Sequence, residues 1–308
     1  MRITLTDRDP SGTTVWFHGA ESMLAGAGAG LVTSIVTCPL DVIKTRLQAG
    51  GLHGGASGLI GTFSSIWTHE GFRGFYRGLG PTIIGYLPTW AIYFTVYDKV
   101  KVKMGALRGD DDPLAHIVAA MSAGASSTIC TNPLWVVKTR FMTQQVGPGE
   151  IRYRHTLDAI QRMYQSEGVP TFYRGLVPAL IGVSHIAVQF PLYEQFKVYY
   201  RPPDGSDIPS STILFCSSTS KMIASVATYP HEVLRTRLQI QKASGDGRYA
   251  GIVETFKQIL RTEGYHGLYR GMGVNLLRTV PASALTILTY EVLMRRLYAL
   301  SHPQGRPK

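Results

Sequence analysis

The sequence has no cysteine pair and no metal-ligand spacing: its three cysteines, Cys38, Cys130 and Cys216, form no CxxC and stand in separate apolar stretches. That argues against a disulfide scaffold or a zinc module, and small buried side chains are the expectation for all three. Charge is scarce too. Asp, Glu, Lys and Arg make up 17% of the 308 residues, against about 25% in soluble domains. Acid is scarcer than base, with 20 Asp and Glu against 31 Lys and Arg, a net charge of +11. Residues 1–12 carry Asp7 and Asp9 and no apolar core, so neither a secretory signal nor an Arg-rich presequence is expected, and any import signal would be internal. No GxxxxGK[ST] loop occurs, and Gly26, Gly28 and Gly30 lack the preceding strand that a dinucleotide-binding turn requires. With no nucleophile–base pair and no metal cluster, neither an enzyme nor a bound cofactor is expected.

The excess base is not spread evenly. Residues 44–80, 138–177 and 235–274 hold 17 Lys and Arg against 7 Asp and Glu, which is ten of the net eleven charges. A basic nucleic-acid-binding protein is one reading of such a charge. Three equivalent basic segments between apolar runs fit loops on one side of a membrane better.

Those segments are copies of one another. Pro39-Leu40-Asp41-Val42-Ile43-Lys44-Thr45-Arg46 returns as Pro133-Leu134-Trp135-Val136-Val137-Lys138-Thr139-Arg140 and as Pro230-His231-Glu232-Val233-Leu234-Arg235-Thr236-Arg237, at spacings of 94 and 97 residues. Each is followed by Glu-Gly (Glu70, Glu167, Glu263) and by Tyr-Arg-Gly (76–78, 173–175, 269–271). Each unit closes with Tyr97-Asp98, Tyr193-Glu194 or Tyr290-Glu291. Four motifs in one order, three times over, define three tandem units, 1–107, 108–204 and 205–308, in a single structural domain.

Every unit has two apolar stretches: 22–40 and 79–97, 114–137 and 176–193, then 208–230, interrupted by Lys221, and a last one interrupted by Arg278. A bilayer core takes about 20 residues of helix, so six spans are expected, with both termini on one side. Segments 58–69, 156–166 and 252–262 carry apolar residues at helical spacing and read as short helices on the membrane surface. The fold class is an all-α membrane protein: six transmembrane helices in three two-helix repeats with threefold pseudo-symmetry.

The repeated Pro-x-acid-x-x-base-x-base, with Glu-Gly and Tyr-Arg-Gly downstream, resembles the signature of the mitochondrial carrier family over residues 17–300. The resemblance implies an alternating-access transporter, a monomer, in the mitochondrial inner membrane with both termini towards the intermembrane space. It implies a matrix gate in which Asp41 meets Lys138 and Glu232 meets Lys44, while Arg235 has no acid because Trp135 stands where one should be. Gln48 and Gln239 match the family's glutamine brace, and Met142 replaces it in the second unit. The cytoplasmic gate would use Tyr97, Asp98 and Lys101, then Tyr193, Glu194 and Lys197, and finally Tyr290 and Glu291, the last with Met294 where a base should be. Arg77-Gly78, Arg174-Gly175 and Arg270-Gly271 resemble the family's cardiolipin-binding element; a simple turn with an interfacial Arg is the alternative.

The family's substrate contact points fall at Gly85, at Gly182-Val183 and at Arg278. Thr89 and Tyr93 continue the stripe of Gly85, with Trp90 beside it, and His185 and Gln189 continue that of Gly182. Lys221 lies eleven residues before Glu232, close to three helical turns, and an intramembrane charge points to function. The Gly-aliphatic pair at the second point resembles carriers of nucleotides. Phosphates suit Lys221 and Arg278, and flat bases suit aromatic faces. Residues 87–94 and 133–138 resemble the NAD carriers, with the FAD, folate and pyrimidine nucleotide carriers as alternatives, and exchange for another nucleotide is the expected mode.

Overall fold

A computed structural model describes residues 14–50, 58–108, 113–144, 153–202, 209–241 and 251–301. The segment 1–12 examined for a leader lies outside them. The chain folds into helices α1 (Thr14–Ala49), α2 (Gly58–Glu70), α3 (Leu79–Arg108), α4 (Pro113–Thr143), α5 (Thr156–Glu167), α6 (Leu176–Val183), α7 (His185–Tyr199), α8 (Ser210–Thr228), α9 (Pro230–Ile240), α10 (Ile252–Gly267) and α11 (Met272–Ser301). No strand occurs among the described residues.

The apolar stretches become the long elements: α1, α3, α4, the pair α6–α7, the pair α8–α9, and α11. Leu114–Thr143, Val169–Tyr199 and Met272–Arg296 are long and apolar enough to cross a membrane on composition alone. The 36 residues of α1 reach about 54 Å at 1.5 Å per residue, and α3 has 30 residues. Pro39 and Pro133 lie inside continuous helices, whereas Pro230 opens α9 directly after Tyr229. A proline at the first helical position loses no bond it would otherwise make. The surface segments are α2, α5 and α10. At the start of α5 the Asp158 carboxylate accepts from the Arg154 backbone N–H at 2.9 Å and from Arg162 at 2.6 Å. These bonds hold its pKa below the usual carboxylate range, so the pairing persists at neutral pH.

Contacts group the described residues into two compact units, one within 38–279 and one within 14–37 and 280–301. In the latter, Thr33 Oγ1 and Thr286 Oγ1 lie 2.9 Å apart. In the former, three equivalent cores form: Val42, Ile43, Ile66 and Phe75; Val136, Val137, Met163 and Phe172; Val233, Leu234, Ile259 and Leu268. Each seats a surface helix against the end of its signature helix. The last Arg of each signature and the Arg of Tyr-Arg-Gly both pair with the Glu of Glu-Gly. Arg46 and Arg77 lie 2.6 and 2.9 Å from Glu70, Arg237 and Arg270 lie 2.5 and 3.0 Å from Glu263, and Arg140 and Arg174 share Glu167.

The same signature arginines tie the repeats cyclically. Arg46 Nε donates to the Met142 carbonyl at 2.9 Å, Arg140 Nε to the Gln239 carbonyl at 2.9 Å, and Arg237 Nε to the Gln48 carbonyl at 3.1 Å. Each satisfies a carbonyl that a helix C-terminus leaves open, and threefold pseudo-symmetry is visible in this ring. The Gly of Tyr-Arg-Gly lets the backbones approach. Gly175 has φ +73°, and a Cβ there would lie 2.9 Å from the Arg235 carbonyl oxygen. Gly175→Ala is expected to cost about 1–2 kcal/mol, read as a lower thermal unfolding midpoint of the purified protein.

One expectation is corrected. Cys38 and Cys216 are buried, but Cys130 is exposed, beside the exposed Ile129 of α4. In a bilayer an apolar stretch need not face protein, because lipid is as apolar as a core.

Candidate functional site

The acid and base positions of the signatures converge. Lys44 Nζ lies 2.6 Å from Glu232 Oε2 and donates to Asn275 Oδ1 at 2.8 Å. Lys138 Nζ lies 3.8 Å from Asp41 Oδ2, and Arg278 Nη1 lies 2.7 Å from Asp41 Oδ1. Arg278, placed among substrate contacts by its position in the sequence, thus joins the signature cluster. Arg235 makes no ion pair among the described residues. Trp135 turns its indole N–H back to Thr131 Oγ1 at 3.1 Å. Its ring meets Tyr86 edge-on at 6.4 Å, with Lys138 Nζ 4.9 Å above it. Four cations, Lys44, Lys138, Arg235 and Arg278, therefore stand against two acids, Asp41 and Glu232, with Arg235 left out of the pairs, and the cluster suits an anionic solute.

The glutamines brace this cluster unequally. Gln48 Nε2 donates to the Tyr229 hydroxyl at 3.0 Å and to Glu232 Oε2 at 3.3 Å, while its Oε1 accepts from Thr236 at 2.9 Å. Gln239 Oε1 accepts from Thr139 at 2.7 Å. At the third place the Thr45 hydroxyl meets Met142 Sδ at 3.6 Å.

Among the candidate substrate contacts, Gly85 is buried, and a Cβ there would sit 3.7 Å from Leu134. Thr89 donates back to the Gly85 carbonyl at 2.6 Å. Trp90 is 49% exposed and stacks on Phe94 at 5.5 Å, and Tyr93 stacks on Tyr97 at 6.1 Å. A side chain at Gly182 would overlap the His231 imidazole, so this glycine is a notch for that ring, and Val183 faces Gly124. The helix breaks at Ser184 between α6 and α7. His185 opens α7, and Gln189 lies one turn further along the same helix. Lys221 is exposed and has no ion pair among the described residues.

The sequence reading missed Asn275 and His231. Asn275 is buried and ties α11 to Ser225 at 2.9 Å as well as to Lys44. Its signal was its place three residues before Arg278, on the same helical face. Nothing in the sequence distinguished His231 from the leucines that precede Asp41 and Trp135.

The second set of charged motifs is connected differently. Glu194 and Lys197 pair within α7 at 2.8 Å, with Lys197 Nζ 4.8 Å above the Tyr193 ring. Asp98 and Lys101 make no ion pair among the described residues. The Tyr97 hydroxyl and His116 Nδ1 lie 2.9 Å apart. In the other compact unit, Glu291 and Arg295 are both exposed and 3.9 Å apart on one helix. Elsewhere in the larger unit, a cavity of about 860 Å³ is lined by Arg73, Arg77, Gly78, Arg154, His155 and Arg162 among others.

The family model described as "Mitochondrial carrier protein" matches residues 16–106, 109–203 and 206–300. The chain is 45% identical over 282 residues, 88% of its length and 78% of the relative's, to "Nicotinamide adenine dinucleotide transporter 2, mitochondrial" of Arabidopsis thaliana. It is 45% identical over 89% of its length and 90% of the relative's to "Nicotinamide adenine dinucleotide transporter 1, chloroplastic" of the same plant. It is 43% identical over 90% of its length and 77% of the relative's to "Mitochondrial nicotinamide adenine dinucleotide transporter 1" of Saccharomyces cerevisiae. Three matched repeats, six long helical segments and a shared cationic cluster give one conclusion: the chain belongs to the mitochondrial carrier family, as a multi-pass transporter and not an enzyme.

Proposed function

We propose that this chain carries NAD across the mitochondrial inner membrane, in exchange for another nucleotide. The observation that carries this reading is the similarity, over about nine-tenths of the chain, to proteins named as nicotinamide adenine dinucleotide transporters. The chemistry agrees with it. Cations in excess of acids suit a diphosphate, and the aromatic run Trp90, Tyr93 and Phe94 offers faces on which a base stacks at about 1–3 kcal/mol.

In this proposal the cluster of Asp41, Lys44, Lys138, Glu232 and Arg235 is the closed matrix gate, braced by Gln48 and Gln239, and the motifs at Asp98, Glu194 and Glu291 form the cytoplasmic one. Gly85, Thr89, Trp90, Tyr93, Gly182, Val183, His185, Gln189, Lys221 and Arg278 surround the solute between them. Each gate opens when solute binding offsets the loss of its ion pairs, because a ligand shifts a two-state equilibrium only through differential affinity. The repeats are 1–107, 108–204 and 205–308 in one structural domain, the protein acts as a monomer, and both termini face the intermembrane space. Cardiolipin is the lipid proposed for Arg77, Gly78, Arg174, Gly175, Arg270 and Gly271; four arginines around the cavity at Gly78 support an anionic headgroup there.

The test is uptake of labelled NAD, FAD, folate and pyrimidine nucleotides into liposomes holding the purified protein. NAD is expected to enter at least tenfold faster than the others, and only when the liposomes are preloaded with a nucleotide. Preferred uptake of FAD, folate or a pyrimidine nucleotide would transfer the proposal to that solute.

A further inference from the structure

The repeats build one contact three times, and a single copy has lost its acid. Between the first and third repeats, Lys44 and Gln48, one turn apart on α1, meet Glu232 and Thr236, one turn apart on α9. Glu232 Oε2 lies 2.6 Å from Lys44 Nζ and 3.3 Å from Gln48 Nε2, and Thr236 donates to Gln48 Oε1 at 2.9 Å. Between the third and second repeats, Arg235 and Gln239 stand for Lys44 and Gln48, while Trp135 and Thr139 stand for Glu232 and Thr236. The threonine bond is kept, Thr139 to Gln239 Oε1 at 2.7 Å. What has gone is the carboxylate, together with the Tyr229 hydroxyl that accepts from Gln48 Nε2 at 3.0 Å, whose equivalent in the second repeat is Asn132.

That leaves two donors, Arg235 and Gln239, one turn apart on α9. Gln239 is 1% exposed, and among the described residues its Nε2 has no partner and Arg235 has no ion pair. Trp135 supplies nothing in place of the acid, since its indole N–H is bonded to Thr131 and its ring lies against Tyr86. A buried donor left unpaired costs about 1–3 kcal/mol, and an uncompensated buried charge more. The third copy of the contact carries no such orphan, because the brace there is Met142, which has no N–H to satisfy.

We propose that this place binds a phosphoryl oxyanion, whose oxygens accept from Gln239 Nε2 and Arg235 where Glu232 serves Lys44 and Gln48 in the equivalent contact. The group comes from the diphosphate of the solute or from free phosphate. The proposal deepens the reading of the closed matrix gate but does not depend on the solute being NAD.

The experiment is thermal unfolding of the purified full-length protein in detergent, titrated with inorganic phosphate against gluconate at equal ionic strength. The wild-type midpoint is expected to rise by several degrees and saturate, as for a ligand bound to the folded state alone. Trp135→Phe keeps the rise. Trp135→Asp, which supplies the carboxylate within the chain, loses it. Gln239→Met also loses it, and installs the residue that the second repeat already carries at its own brace position. NAD added at saturating phosphate distinguishes the sources: a smaller rise than in phosphate-free buffer assigns the site to the solute's diphosphate, additive rises assign it to free phosphate, and either upholds the site. A flat phosphate titration in the wild type overturns it and points to water as the acceptor for Gln239 Nε2. Equal rises in wild type, Trp135→Asp and Gln239→Met overturn it too, moving the effect to another anion site such as the arginine-lined cavity. Absence of NAD uptake in liposomes would sink the solute assignment and leave the phosphate titration standing.

Discussion

Asp41→Asn is expected to lower the thermal unfolding midpoint by about 3–5 °C, from a loss of about 2–3 kcal/mol. One carboxylate holds two cations, Arg278 Nη1 at 2.7 Å and Lys138 Nζ at 3.8 Å. Its side chain is 16% exposed, and those of Lys138 and Arg278 are 16% and 30% exposed. Exposed pairs contribute about 0–1 kcal/mol, and removing one partner of a buried pair costs about 3–5 kcal/mol, so a partly buried acid with two partners falls between. The effect on transport has the same origin. If the two gate states are otherwise balanced, about 2.7 kcal/mol lost from one shifts their ratio roughly a hundredfold. Uptake is then limited by reclosing of the matrix side. Asp41→Glu keeps the charge and is expected to recover most of the midpoint. A fall in Asp41→Asn no larger than that of an exposed control pair, such as Glu194→Gln, would remove Asp41 from the closed contact.

Trp135→Asp is expected to slow uptake roughly tenfold, which corresponds to about 1.4 kcal/mol of added stability in the closed gate. Four effects compete. The new carboxylate gives Arg235 an ion pair, about 2–3 kcal/mol at a site this enclosed, and gives the Gln239 amide an acceptor, about 1 kcal/mol. Against these, the cation–π contact with Lys138 is lost, about 1 kcal/mol, as is the edge-on contact with Tyr86, about 0.5–1.5 kcal/mol. The balance favours closure. Trp135→Phe separates ring from charge, since it removes the indole N–H and adds no acid, and its rate is expected to stay within about threefold of the wild type. Faster uptake in Trp135→Asp than in the wild type would show that closure of this gate is not what limits the cycle.

How much of this was visible beforehand depends on the range of the interaction. The three units, their helices and the surface segments were legible because each rests on residues a few positions apart: proline, acid and base at fixed spacing, apolar residues at helical intervals, and long runs that water would reject. The missing acid at Trp135 was legible as well, since the three copies of one motif can be laid side by side.

Contacts between segments far apart in the chain are another matter. Nothing local says that Arg278 reaches Asp41, that Asn275 clasps Lys44, or that Gly182 receives the His231 ring. Cys130 marks the other boundary. Hydrophobicity reports a preference for leaving water, and both a protein core and a lipid tail satisfy it, so its facing follows from which neighbours pack on α4. The sequence alone thus determines the spans, their threefold repetition and the residue types at each signature position. Only the tertiary structure decides which donors find acceptors and which, like Gln239 Nε2, have none among the described residues, because pairing depends on how helices distant in the chain are turned towards each other.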